Sequence, residues 1–390
     1  MPQSKISICI PTYNRAAYLD WQLNQFLNFK EKIVDWEFVI CNNGSTDNTR
    51  EVIAKYKDEL RITYHEFPKN MGPQGYYKTV EISSSNVLTY LADDDFLDVD
   101  AVNSYVSLFN EDKNLSAIFA PWKYLNAVKA EFNGQFYSQK EDLIVKQFDY
   151  LSATTLILQN KIFPEIFITK KNIALSLFED CDICYHFFLK CAQLIKSGNV
   201  IFANIPFFYS ITQHPADGNT TRIQAGNEQI KSYWDIYRGG FELLLGLSRI
   251  QNNSFDQLGH KLLLDNFVTD RMILAIVNNI RSGEFLKSYW IYLRVIAQIG
   301  PFELNQEFTF KNIIGLAALD LIINETRCHS DIIILDISLD KGIRTLANEY
   351  CPKKYFLNNE NILEKNTLNE FHIDSNSHLE AVKKLNFFGL

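Results

Sequence analysis

The segment Lys5 to Arg15, KISICIPTYNR, is a short and mostly apolar run that stops at Pro11 and gives way to polar residues. A second such run, Trp36 to Cys41 (WEFVIC), stops at Asn42-Asn43-Gly44. Short apolar runs bounded by turn residues suit strands buried inside a parallel sheet. Between them, Ala16 to Phe29 places Leu19, Leu23, Phe26 and Leu27 at helical spacing. The three pieces therefore read as strand, helix and strand, joined by a right-handed crossover.

Working outward, Ser45, Thr46 and Asp47 can cap a helix that turns Val52, Ile53 and Tyr56 inward. Strands follow near Ile62 to Glu66 and Val87 to Leu91, then Asp93-Asp94-Asp95, then a helix from Asp98 to Phe109 and a strand at Leu115 to Ala120. This order describes a doubly wound α/β sheet, whose ligands bind beyond the carboxyl ends of the strands. Three polar clusters fall at such ends: PTYNR, NNGSTD and ADDD. NNGSTD alone is also an ordinary Asx turn and cap, so the signal lies in the convergence of the three.

Composition narrows the class. The 390 residues are 47% hydrophobic and 22% charged, which excludes a disordered or fibrous chain. A net charge of −8 supplies no basic field for a nucleic-acid backbone, so no nucleic acid is expected as a partner. The seven cysteines are scattered, which suits reduced thiols, and the Cys181/Cys184 pair reads as buried thiols rather than half of a zinc site. The N-terminus has no signal-peptide core, and the apolar stretch from Asn312 to Asn324 is short and interrupted by Asp320. A cytoplasmic protein is expected, soluble or peripheral at the inner face of the cell membrane.

Adjacent carboxylates after a strand repel one another unless a cation or hydrogen bonds compensate. Hard oxygen ligands of this kind suit Mg²⁺ or Mn²⁺. The plain alternative is a solvated acidic turn, with Asp98 capping the next helix. PTYNR, NNGSTDNT, the NMG of Asn70 to Gly72, LADDDFL and the later Glu179-Asp180 resemble, in order and spacing, the inverting GT-A glycosyltransferases of family 2. The resemblance covers the chain up to about residue 215.

It implies a GT-A catalytic domain, doubly wound around a mostly parallel sheet, in which Pro11, Thr12, Tyr13, Arg15, Asn42, Asn43, Asn70, Gly72, Asp93 and Asp94 bind the nucleotide. Asn42 stands where the family usually has a base-reading aspartate, and Ala92 where its acidic motif usually begins. Asp94 is then the main metal ligand, with Asp93 and Asp95 sharing the ligation or contacting the ribose or the donor sugar, and His214 completing the metal site or touching the diphosphate. The resemblance further implies Asp180 as general base and Glu179 as the group that orients the acceptor or the loop, with an exchange of the two roles left open. Read without it, Glu179 and Asp180 decorate a first helical turn and His214 is an exposed loop residue. Trp122 and Tyr124 suit either a sugar-stacking surface or the core.

From Glu228 to Glu325 the periodicity is helical. Phe285 to Phe302 mixes aromatics with Lys287 and Arg294, which suits packing within the protein or against a second copy, and less well a membrane interface. Asp331 to Ile337 reads as a strand, Lys341 to Glu349 as a helix and Tyr355 to Leu357 as another strand, with a polar, partly mobile tail after Asn358. The expected division is a catalytic domain at 1–225, a helical accessory domain at 226–325 and a small α/β appendage at 326–390.

The resulting expectation is a metal-dependent inverting glycosyltransferase, hexosyltransferase-like, that moves a sugar from a nucleotide-sugar donor to a saccharide or lipid-linked acceptor in bacterial polysaccharide biosynthesis. A sugar nucleotidyltransferase is the enzyme alternative, although PTYNRAAYL lacks the glycine-rich loop it needs. A catalytically inactive glycan-binding scaffold stays open because of Asn42. Peripheral membrane contact and a homo-oligomer stay open as well.

Overall fold

The computed structural model describes residues 5–177, 187–218, 237–251, 257–300, 302–326, 332–352, 355–357 and 370–386. Its elements, in chain order, are β1 Ile6–Thr12, α1 Ala16–Leu27, β2 Trp36–Asn42, α2 Thr49–Tyr56, β3 Ile62–Glu66, α3 Gln74–Ile82, β4 Val87–Tyr90, β5 Phe96–Leu97, α4 Val99–Glu111 and β6 Leu115–Phe119. There follow β7 Trp122–Asn126, β8 Glu131–Gln135, β9 Leu143–Val145, α5 Tyr150–Asn160, β10 Phe167–Lys170, α6 Lys171–Ala174, α7 Phe187–Ser197, β11 Asn199–Phe202, β12 Phe208–Gln213 and α8 Tyr237–Gln251. The remainder holds α9 Gln257–Arg281, α10 Phe285–Ile299, α11 Phe310–Thr326, β13 Ile332–Leu335, α12 Lys341–Tyr350, β14 Tyr355–Leu357, β15 Glu370–Ile373 and α13 Ser375–Leu385.

The main sheet runs β3-β2-β1-β4-β10-β6-β11-β9. The strands read from apolar runs stand in parallel register, Ile6 opposite Trp36 and Thr12 opposite Asn42, and this register brings the ends of β1 and β2 to one edge. Tyr90, at the end of β4, pairs with Cys9 beside them. The polar interruptions in these strands are compensated inside the fold. Glu37, 2% exposed, accepts from the Ser7 hydroxyl at 2.5 Å, the Thr63 hydroxyl at 2.6 Å and the Ser84 amide at 2.8 Å. A buried carboxylate held by several donors is tolerated where an unpaired one is not.

α1 packs its inward face on the sheet through Phe26, whose ring lies 4.9 Å from Phe38 and 4.4 Å from Phe96. Each such side chain, fully buried, contributes about 1.5–3 kcal/mol, and here the burial anchors the residue that directly follows the acidic loop. Asp98 caps α4, accepting from the Ala101 amide. That capping role, the plain alternative for this turn, coexists with the acidic cluster rather than replacing it.

The structure adds elements that periodicity did not reveal: α3, α5 and a second sheet of order β5-β12-β7-β8. β10 enters the main sheet antiparallel to both neighbours. Trp122 is core, stacked 4.3 Å from Phe136 at an interplanar angle of 7°.

The chain divides into two compact units, Met1–Gln224 with Gly239–Leu263, and Ala225–Arg238 with Leu264–Leu390. In the second, α10 buries Phe285, Tyr289, Tyr292, Val295 and Ile296, while Trp290 on the same helix is 41% exposed. Asp320, which interrupts the apolar run of α11, accepts from the Leu286 amide at the start of α10. Three parallel strands follow in the order β14-β13-β15. The polar tail expected after Asn358 is in part structured: β15 pairs with β13, and α13 buries His378, Ala381 and Leu385. Its helical spacing was hidden among Ser, Asn and Lys residues. No helix among the described residues is long and apolar enough to cross a membrane.

Candidate functional site

Three loops meet at the carboxyl edge of the main sheet, and asparagine side chains lock them together. Asn14 adopts a left-handed conformation, φ 51; its side chain accepts from the Thr46 amide at 2.7 Å, and its own amide donates to the Ser45 hydroxyl at 2.9 Å. Asp47 reaches back to accept from the Ala16 amide at 3.0 Å, supplying α1 with the cap that Arg15 does not provide. Partial burial works against the Asp47 charge, but hydrogen bonds from Thr49 and Ala16 outweigh it and hold the carboxyl below its usual range.

Asn42 is 1% exposed. Its oxygen accepts from the Ser45 amide at 2.9 Å and its nitrogen donates to the Tyr64 hydroxyl at 3.3 Å. Asn43 holds the third loop: it accepts from the Met71 amide at 2.9 Å and donates to the Gly72 carbonyl at 2.9 Å and to Asn70 at 3.1 Å. Gly44, at φ +78, lies so close to this loop that a Cβ would stand 2.3 Å from the Lys69 carbonyl carbon. Only glycine meets both demands. Asn43 and Asn70 thus tie the second and third loops together, while Asn42 braces its own loop against β3. Tyr13 is 42% exposed there, and the Thr12 hydroxyl is buried without a hydrogen-bond partner.

The acidic loop is fixed from α1. Gln22 donates to the Ala92 and Asp95 carbonyls at 2.6 and 2.7 Å. Asp93 and Asp94, each with a side chain 6% exposed, converge on one guanidinium nitrogen of Arg15. The Asp93 contact is 3.2 Å, and Asp94 makes the closer ion pair. A single cationic nitrogen held by two carboxylate oxygens is a stand-in for a small cation, so these two residues fit a divalent ion that keeps water and phosphate oxygens as its other ligands.

Asp95 and His214, expected to share the metal with Asp94, do not join that pair. Among the described residues no group of three or more His, Cys, Asp or Glu side chains is arranged to hold a metal ion. Asp95 turns to the Ile211 amide at 2.8 Å. Burial pushes its carboxyl up to about 7, with the charges of Asp93 and Glu165 adding to the effect. His214 is fully buried rather than exposed, 4.6 Å from the Tyr18 ring and 4.7 Å from Trp21. Its Nδ1 accepts from the Ala216 amide at 3.0 Å, which leaves the proton of the neutral ring on Nε2, and Nε2 has no partner among the described residues. Burial pushes His214 down to about 4. A metal on Nε2 would require the other tautomer and the loss of the Ala216 bond.

Glu179 and Asp180 lie outside the described residues, as do Cys181 and Cys184. Cys9, Cys41 and Cys191 are buried free thiols. Sequence reasoning missed Glu165, which lies within electrostatic reach of Asp95 and is pushed up to about 7 by burial. Its only local signal is one charge within the apolar run Ile162 to Ile168.

The family model for glycosyl transferase family 2 matches residues 7–172. Chondroitin synthase of Pasteurella multocida is 34% identical over 122 residues, a segment that covers 31% of this chain and 12% of that protein. An uncharacterized glycosyltransferase of Mycoplasma genitalium is 25% identical over 254 residues, covering 61% of this chain and 80% of its own. Among solved structures, S. aureus TarS 1-349 in complex with UDP superposes with a TM-score of 0.48 at 14% identity, over 93% of this chain and 95% of that one.

Proposed function

We propose, from the premise that this chain belongs to glycosyltransferase family 2 through residues 7–172, that it transfers a sugar from a nucleotide-diphosphate donor to a saccharide or lipid-linked saccharide acceptor, with inversion at the transferred carbon. The observation that carries the reading is the pairing of Asp93 and Asp94 on one cationic nitrogen, at the edge where three amide-locked loops converge. Nucleotides bind at such an edge in open α/β sheets.

Asp93 and Asp94 are the residues that would hold Mg²⁺ or Mn²⁺, which when bound supplies positive charge to the diphosphate leaving group. Arg15, next to both carboxylates, is placed to meet a phosphate once the pair is otherwise neutralised. Tyr13 covers the base, while Asn42, whose amide is already engaged by Ser45 and Tyr64, shapes the pocket floor together with Asn43, Asn70 and Gly72. In this reading Asp180 takes the proton of the acceptor hydroxyl as its oxygen attacks, and Glu179 orients the acceptor. The nucleotide diphosphate departs from the opposite face. The work is done in the cytoplasm or at the inner face of the membrane, within bacterial polysaccharide assembly.

Asp180→Asn tests the assignment. Turnover with a nucleotide sugar should fall by at least about a hundredfold while calorimetric binding of the donor persists. Retained turnover removes Asp180 from the mechanism.

A further inference from the structure

Beside the acidic loop lies a cavity of about 280 Å³ whose lining includes Tyr76, Tyr77, Tyr90, Glu165, Phe167 and Lys190. Core packing does not account for its contents. On β4, Val87, Leu88 and Thr89 are buried, yet Tyr90 is 37% exposed at the strand's carboxyl end. The Tyr76 and Tyr90 rings meet edge to face at 5.5 Å, and the Lys190 ammonium sits 5.8 Å from the centre of the Tyr76 ring. Among the described residues Glu165 is the one carboxylate in the lining, and its side chain has no hydrogen-bond or ion-pair partner there. A partly buried carboxylate without partners costs folding energy, and it is retained most readily where a ligand supplies the missing donors.

Aromatic faces joined to one strong acceptor match the chemistry of a sugar, whose ring carries an apolar C–H face and a rim of hydroxyl donors. The volume lies at the small end of ligand pockets, which run from about 300 Å³ upward, and suits one ring. We propose that this cavity is a pyranose subsite, in which Glu165 accepts hydrogen bonds from sugar hydroxyls while the Tyr76 and Tyr90 rings cover a C–H face. The inference rests on the glycosyltransferase reading for its setting, and the ring it holds comes either from the donor or from the acceptor.

The full chain is compared with Glu165→Gln, which keeps size and shape, and with Tyr90→Ala at an already exposed position. Calorimetry measures UDP, GDP, UDP-glucose, UDP-N-acetylglucosamine and GDP-mannose, and saturation-transfer NMR measures methyl glucoside and methyl N-acetylglucosaminide. If the subsite takes the donor's ring, a nucleotide sugar binds the wild type more tightly than its nucleotide; Glu165→Gln reduces that advantage by about tenfold, the loss of one hydrogen bond to a charged group, and Tyr90→Ala reduces it as well by removing a ring that covers the sugar. If it takes the acceptor's ring, a methyl glycoside signal present in the wild type disappears in both variants while nucleotide-sugar affinity is unchanged. Sugar binding that neither substitution alters, or no sugar binding in any form, overturns the proposal. Failure of every nucleotide to bind, with glycosides still lost in both variants, would sink the transferase reading and leave the subsite standing.

Discussion

Replacing Arg15 with Gln should unsettle the acidic loop in a way that a divalent cation repairs. Asp93 and Asp94 are nearly buried, with side chains 6% exposed, and both touch Arg15. Removing one partner of a buried ion pair costs about 3–5 kcal/mol, whereas exposed pairs contribute about 0.2–1 kcal/mol. The arginine side chain is 43% exposed, so water screens part of the interaction and a loss of about 1–2 kcal/mol is expected. In a unit of this size that is a fall in Tm of about 3–6 °C, read by thermal unfolding in EDTA. Manganese at a hundred times its Kd would add about 2.7 kcal/mol, and it should stabilise the Arg15→Gln protein more than the wild type because Arg15 no longer competes for the two carboxylates. Equal melting of the two proteins in EDTA, or an equal gain from manganese, would refute the reasoning.

Two further outcomes test the scaffold. Gly44→Ala forces a side chain into φ +78 with its Cβ 2.3 Å from the Lys69 carbonyl carbon, so it should cost more than about 2 kcal/mol in urea unfolding; an unchanged midpoint would show that the two loops are not in contact. In the second unit, His378 is buried with its ring against the Gly315 carbonyl at 2.9 Å, and burial holds its pKa below the usual histidine value. The unfolded chain takes up a proton as pH falls through about 6.5 while the folded one resists it. Stability is therefore lost on acidification below that pH, and His378→Gln, which can still donate to Gly315, should lose less of its stability between pH 7 and pH 5.

What was legible in the sequence follows the range of the interactions concerned. β1 and β2 could be read because each is a short apolar run with a turn at its end, and the capping role of Asp98 is a relation between near neighbours. Strand direction is not a local property, so nothing within Phe167 to Lys170 announces that β10 runs against β4 and β6. α13 went unread because its inward residues are His378, Ala381 and Leu385, only one of them strongly apolar. The same holds at the site. The three clusters are contiguous and could be seen, but the partners of each aspartate lie far away along the chain. Asp94 and Asp95 look equivalent in sequence, yet one turns to Arg15 and the other to Ile211. Glu165 had no motif at all, and only the closing of β10 beside β4 gives it a setting.

The electrostatics of the loop connect these details to the acidity of the whole chain. Asp93, Asp94 and Arg15 between them sum to one negative charge beside the edge where a diphosphate is proposed to dock, and the net charge of −8 offers no background attraction. Arginine alone therefore cannot make the site attractive to an anion, because the two carboxylates outweigh it. A divalent cation on the same carboxylates reverses the local sign and frees the guanidinium at once, so one exchange yields two positive groups facing the phosphates. An arginine that was merely structural would keep its carboxylates whatever the ionic conditions. One that serves as a placeholder must give them up to manganese, and for that reason the difference in manganese response between wild type and Arg15→Gln, rather than the loss of stability alone, decides between the two roles.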